Sequence, residues 1–155
     1  MSDSVVQLGQ GPLWQDLKVG QRYRTLRRTI TETDLINFIG VTGQTEILFI
    51  DATFQGAIKG DGRPIPSALT YSLIEGMLMQ TLIQSAGLAL LEVTQRIKAP
   101  VVVGDSIHGE VEVTALRQTS KGNRAVVDTL VKVVNDKGVT VMEYDVKRLI
   151  AGRPE

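Results

Sequence analysis

Few side chains in this sequence can do chemistry, and they are scattered. Glu75 is the only charge between residues 65 and 91 of the 155-residue chain, and it sits in an apolar run. A carboxylate in such a run is either hydrogen-bonded by its neighbours, or desolvated until its pKa rises far enough for it to act as a base. Helical spacing puts Tyr71 and Ser72 one turn before Glu75 and Met79 one turn after it, so two hydroxyls are placed to hold it. The same grouping also describes a polar spot at a subunit interface. Glu46 follows a Gly-containing turn and is a second candidate general base, against the plainer reading of a solvated loop carboxylate. Asp51 reads as a loop or cap residue. His108 is the sole imidazole, and there is no cysteine. A thiolate or imidazole metal site is therefore not expected, zinc chemistry is improbable, and nothing in the chain calls for a cofactor. Lys59 and Arg63 flank a glycine-rich stretch and are candidate contacts for an anionic ligand.

The elements that must position these residues follow from periodicity. Tyr23 to Ile30 reads as an extended basic stretch, and Thr31 with Asp34 makes a capping-box-like start for a short helix carrying Leu35, Ile36, Phe38 and Ile39. That helix is expected to stop near Gly40 or Gly43. Residues 56 to 66, GAIKGDGRPIP, read as a loop. Residues 67 to 87 carry Leu69, Leu73, Ile74, Met77, Leu78, Leu82 and Ile83, which predicts a long buried helix with Gly87 as its stop. Ser72, Glu75, Gln80, Thr81 and Gln84 interrupt the run and argue against a membrane span.

Strands are expected at Leu91 to Ile97, Ser106 to Leu116, Arg124 to Val134 and Val139 to Leu149. Turns at residues 120–123 and 135–138 are short enough for antiparallel hairpins. Alternation places Ser106, His108, Glu110, Glu112 and Thr114 on one face, and Ile107, Val111, Val113 and Ala115 on the other. His108 is thus expected at the surface. One buried helix followed by an antiparallel meander predicts an α+β fold in which the sheet wraps the helix. A leader is expected at 1–14, one domain at 15–150 and a short tail at 151–155.

Seventeen basic and seventeen acidic residues balance, and they are not clustered. Attraction for nucleic acid or an anionic membrane is not expected. The first fourteen residues lack the basic and apolar regions of a secretory signal, so a cytoplasmic location is the default expectation. An exposed edge strand on such a sheet calls for pairing, and the chain is expected to form a homodimer or a dimer of dimers.

The order of short helix, Gly-rich loop, buried helix and strand meander is similar to a hot-dog domain. Three phrases resemble the MaoC-like enoyl-CoA hydratase/dehydratase family: TETDLINFIGVTG at 31–43, RPIPSALTYSL at 63–73 and APVVVGDSI at 99–107. The resemblance implies an acyl-thioester ligand, usually an acyl-CoA, with its acyl chain in a tunnel at a homodimer interface. In the family, the stretch after the first helix reads G-D-x-N-P-x-H-x-D, whose first Asp and His activate water for addition to an enoyl thioester. Here Gln44 stands at the Asp position and Phe49 at the His position, Glu46 stands where the family has Asn, and Gly43 and Asp51 agree with the motif. Neither Gln44 nor Phe49 can act as a base.

The family opens its central helix with a His-Gly pair, where this chain has Ser67-Ala68. The resemblance gives the backbone N–H groups there the task of holding the thioester oxygen, which survives a change of side chain. Gln44, Phe49, Ser67 and Ala68 are thus the substrate-binding candidates. The resemblance implies altered or lost hydratase catalysis, with Glu46 as a replacement base. Acyl-CoA thioesterases of the same fold carry an acidic residue on the central helix, which gives Glu75 an alternative catalytic role. A third possibility is a non-catalytic subunit of a hot-dog heteromer.

Overall fold

The structure is a computed structural model that describes residues 5–54 and 62–154. After a 3-10 turn at Trp14–Asp16 come β1 (Arg22–Arg24), β2 (Arg28–Thr29), α1 (Glu32–Thr42), α2 (Ile47–Ile50), α3 (Ser67–Met79), β3 (Gly87–Ile97), β4 (Ser106–Gln118), β5 (Arg124–Asn135) and β6 (Thr140–Ala151). One antiparallel sheet has the order β1-β4-β5-β6-β3, and β2 also pairs with β4. The sheet curls around α3, the hot-dog architecture.

The start of α1 follows its sequence. The Asp34 N–H donates to the Thr31 hydroxyl, and the Thr31 N–H donates back to the Asp34 carboxylate at 2.8 Å. Partial burial pushes the pKa of Asp34 up, but the Thr31 bonds and the Arg28 guanidinium at 2.6 Å outweigh it and hold the carboxyl below its usual range. The helix ends at Gly43, whose left-handed φ of 73° suits glycine. The basic stretch before it is two short strands instead of one, both laid against β4.

Helix α3 is shorter than its apolar pattern predicts. It stops at Met79, after which the N–H groups of Thr81 and Ile83 both turn to the Leu78 carbonyl instead of continuing the helical pattern. Gly87 begins β3 instead of ending the helix. Leu69, Leu73, Ile74 and Leu78 bury against Ile107, Val111, Val131, Val133, Met142 and Tyr144 of the sheet. At Gly109 the sheet lies close against the helix: a Cβ there would lie 3.0 Å from Ile74 Cγ2.

The β4 alternation holds from Ser106 to Val113, where a register shift intervenes before Ala115. The extra residue, Thr114, turns Leu116 toward the second apolar cluster and leaves Ala115 exposed, reversing the side expected for Ala115. His108 is a further correction. Its face is the one that alternation gives, yet it is only 7% exposed. Val134 stands opposite it in register, and Glu110, bonded to Arg24 at 2.7 Å, meets its Nε2 at 3.3 Å. Alternation sets a side chain's direction, whereas neighbouring side chains decide whether that face is open.

Candidate functional site

The N-terminus of α3 is a chemically unfinished part of the molecule; Asp128 and Thr129 on β5 also carry a buried oxygen without a hydrogen-bond partner. Pro66 precedes the helix and supplies no side-chain cap. Its carbonyl accepts the Leu69 N–H at 2.9 Å and the Thr70 N–H at 3.4 Å, while the N–H groups of Ser67 and Ala68 meet no acceptor among the described residues. Helix-end N–H groups carry partial positive charge and suit an oxygen that becomes negative. Ile65 is fixed by its N–H bond to the Val101 carbonyl, and Pro64 bridges Val102. The strand connection after β3 thus aims the start of the helix.

A cavity of about 210 Å³ opens at this point, lined among others by Leu48, Phe49, Ser67, Thr70, Ile97 and Met142. Its walls are apolar except where Ser67 and Thr70 face it. Thr70 is 1% exposed, and its hydroxyl oxygen has no hydrogen-bond partner. Helical Ser and Thr ordinarily return their hydroxyl to the carbonyl one turn back. Thr42 and Ser72 do so here, to Phe38 and Ala68. Thr70 does not, so a buried polar atom beside the cavity is left for something other than the chain itself.

The candidates named from sequence separate into groups. Phe49 and Ser67 line this one cavity, whereas Ala68, the next residue of α3, is exposed and is not part of its lining. Gln44 and Glu46 are exposed, and neither lines it. Glu46 is the residue that leads into α2, with no side-chain capping bond. Asp51 accepts bonds from the Thr53 hydroxyl and N–H at 2.6 and 2.9 Å, which hold its carboxyl below the usual range. Arg63 is paired with Glu32, and Lys59 lies outside the described residues.

Glu75 stands in a different setting. It is 5% exposed, and both its oxygens are taken: Tyr144 donates to Oε1 at 2.7 Å, and the Arg148 guanidinium donates to Oε2. Both partners come from β6, not from Tyr71 and Ser72 as helical spacing suggested. Ser72 is turned back to Ala68, and Tyr71 packs edge-on against the Tyr144 ring, centroids 5.0 Å apart. Burial, and then the adjacent Glu75 charge, push the Tyr144 hydroxyl far above its ordinary pKa, so it stays a donor.

Thr70, Tyr144 and Arg148 went unnamed in the sequence reading. A signal for Arg148 is present: alternation along β6 puts it on the apolar side with Met142, Tyr144, Val146 and Ile150, and a cation there needs a buried anion. Glu75 is the one charge available on the helix that this face covers. Glu75 and Arg148 also border a second cavity of about 380 Å³, together with Met79 and residues at the start of β3. A larger one, about 570 Å³, lies between α3, Tyr23–Leu26 and the N-terminal segment, with no carboxylate or imidazole in its lining.

Comparison with known proteins agrees with this fold. The MaoC-like domain model matches residues 16–136. An (R)-specific enoyl-CoA hydratase from Aeromonas caviae is 33% identical over 104 residues, which is 67% of this chain and 76% of that protein. The crystal structure of a putative MaoC domain protein dehydratase from Chloroflexus aurantiacus superimposes with a TM-score of 0.88 at 26% identity, covering 97% of this chain and 43% of that one. A Mycobacterium tuberculosis protein described as having a double hotdog fold gives a TM-score of 0.86 at 18% identity over 97% of this chain and 47% of its own. The chain belongs to the MaoC-like domain family of hydratases and dehydratases.

Proposed function

We propose that this chain binds an acyl thioester, in the form of an acyl-CoA, in the cavity at the start of α3, and that its hydratase chemistry is altered or lost. The observation that carries the reading is the unspent polarity there: Ser67, whose N–H meets no acceptor among the described residues, and the buried, unpartnered Thr70 hydroxyl line one largely apolar cavity. That is the donor arrangement a thioester oxygen needs as it gains charge. No described residue lining the cavity is a carboxylate or imidazole. Phe49 occupies the wall with a ring that moves no proton, and Gln44 is exposed. Glu46, exposed just before α2 and outside the cavity lining, is the candidate replacement base.

A homodimer completes this reading. Strand β3 forms one edge of the sheet, and Leu88, Leu90 and Ile97 along it are each 54% exposed. Such an edge is a template for pairing. The chain also covers 97% of itself but only 47% of the double hotdog protein, so two copies would supply the content of that one chain. A heteromeric hot-dog subunit would use the same edge. Thioesterase action by Glu75 draws less support, since both carboxylate oxygens are already bonded.

The test combines calorimetric acyl-CoA binding with loss of enoyl absorbance from crotonyl-CoA. Binding is expected, with hydration about 10² to 10⁴-fold slower than in a relative with the full Asp/His pair. Brisk hydration lost in Glu46→Gln would overturn the impaired reading. Thiol release abolished by Glu75→Gln would establish the thioesterase instead.

A further inference from the structure

Arg148 is buried at 7% exposure, yet it uses little of its hydrogen-bonding capacity. A guanidinium carries five N–H donors. One, on Nη2, goes to Glu75, and among the described residues the side chain makes no other hydrogen bond. None of its nitrogens is among the side-chain atoms that are both unbonded and fully enclosed. The spare donors therefore open onto free space, and Arg148 borders two cavities. One of them, about 20 Å³ beside Thr129 and Ile150, has room for about one water molecule. The other is the cavity of about 380 Å³ between the end of α3 and the start of β3, a volume within the range of small-molecule sites. Met79, Ile83, Leu88 and Leu90 supply much of its wall, and Glu75 and Arg148 are the two charges in its lining.

We propose that this cavity is a second binding site, which takes a small neutral carbonyl compound, an amide or ketone with an apolar body, whose oxygen accepts from Arg148. Charge balance selects the neutral ligand. Glu75 and Arg148 already cancel, so a carboxylate drawn to the same donors would leave the buried set with one negative charge in excess beside Glu75. An ammonium group would leave it with one positive charge in excess beside Arg148. Either excess is costly where little water is present to solvate it. A neutral oxygen takes a spare N–H and leaves the balance as it was. Glu75, whose oxygens are bonded to Tyr144 and Arg148, holds the guanidinium in position for this contact. The site goes beyond the acyl-thioester reading and does not depend on it, since its lining shares no residue with the cavity at Ser67 and Thr70.

The experiment titrates the nitrogen-15-labelled full chain at neutral pH with hexanamide, hexanoate and hexylamine, three probes of one length and three charges. The readout is the Arg148 Nε–H resonance, assigned by its loss in Arg148→Lys. Hexanamide is expected to shift it to saturation, with hexanoate and hexylammonium binding at least about fivefold more weakly. Two variants, each checked for folding by thermal melting, test the contact through the backbone resonances of Ile83 to Leu90. Arg148→Lys keeps a cation for Glu75 but lacks the planar fork of donors, and Glu75→Leu/Arg148→Met removes both charges together. Hexanamide affinity is expected to fall at least about fivefold in each. Hexanoate or hexylammonium binding as tightly as hexanamide would overturn the neutral-ligand assignment. A wild-type resonance that none of the probes moves, or an affinity unchanged in the folded variants, would overturn the site itself.

Discussion

The first turn of α3 and its third turn are both polar and both buried, yet they are built in opposite ways. Around Glu75 both carboxylate oxygens have a partner: one accepts from Tyr144 and the other from Arg148, which ties the helix to the sheet. Around Thr70 the reverse holds, since its hydroxyl and the N–H groups of Ser67 and Ala68 have no partner among the described residues. The charged site, which looked more reactive in sequence, is the satisfied one. Burial with satisfied bonds marks a group the fold has used for itself, whereas burial without them leaves a capacity that a ligand can fill.

Breaking the satisfied end should have the largest effect. Arg148→Met leaves the Glu75 charge buried and unpaired, and is expected to cost about 3–5 kcal/mol in chemical denaturation. The double substitution Glu75→Leu/Arg148→Met should recover most of that loss, because the unpaired charge is gone. If the single variant is as stable as the wild type, the pair is not buried as described. Next in size, Tyr144→Phe removes one bond to a charged acceptor and keeps the ring, for an expected loss of about 1.5–3 kcal/mol.

The unsatisfied end should respond with the opposite sign. Thr70→Val removes a hydroxyl that has no partner in the protein, so the variant should melt no lower than the wild type and should gain about 1 kcal/mol. Its acyl-CoA affinity should nevertheless fall about fivefold, the share of one hydrogen bond. Loss of stability with unchanged binding would show that the hydroxyl serves the fold.

The smallest effect belongs to a carboxylate used openly as a helix cap. Asp34 has its folded pKa lowered, so its stabilisation is present above the unfolded carboxylate value of about 3.9 and is lost as pH falls through the lower folded value. Asp34→Asn should therefore flatten the acid limb of a melting-temperature profile below about pH 4 and leave its neutral limb parallel to the wild type.

Local signals were legible wherever the chain's own chemistry decides. The Thr31/Asp34 cap, the Gly43 stop and the hairpin at Asn135 to Gly138 all depend on residues within a few positions of each other. The site was legible only in outline. Phe49 and Ser67 are recognisable by position in a motif, but their meeting in one cavity depends on α2 and the connection after β3, which are remote in sequence from α3.

By itself the sequence determined the α+β class and the order of helix and strands, because these depend on residue type and short-range periodicity. Only the tertiary structure decided that Glu75 is held by Tyr144 and Arg148, that His108 is covered, and that the Thr70 hydroxyl is left without a partner. The reason is that a hydrogen bond is satisfied across space. Glu75 and Arg148 are 73 positions apart in the chain, and no local pattern tells a buried polar residue whether its partner will arrive.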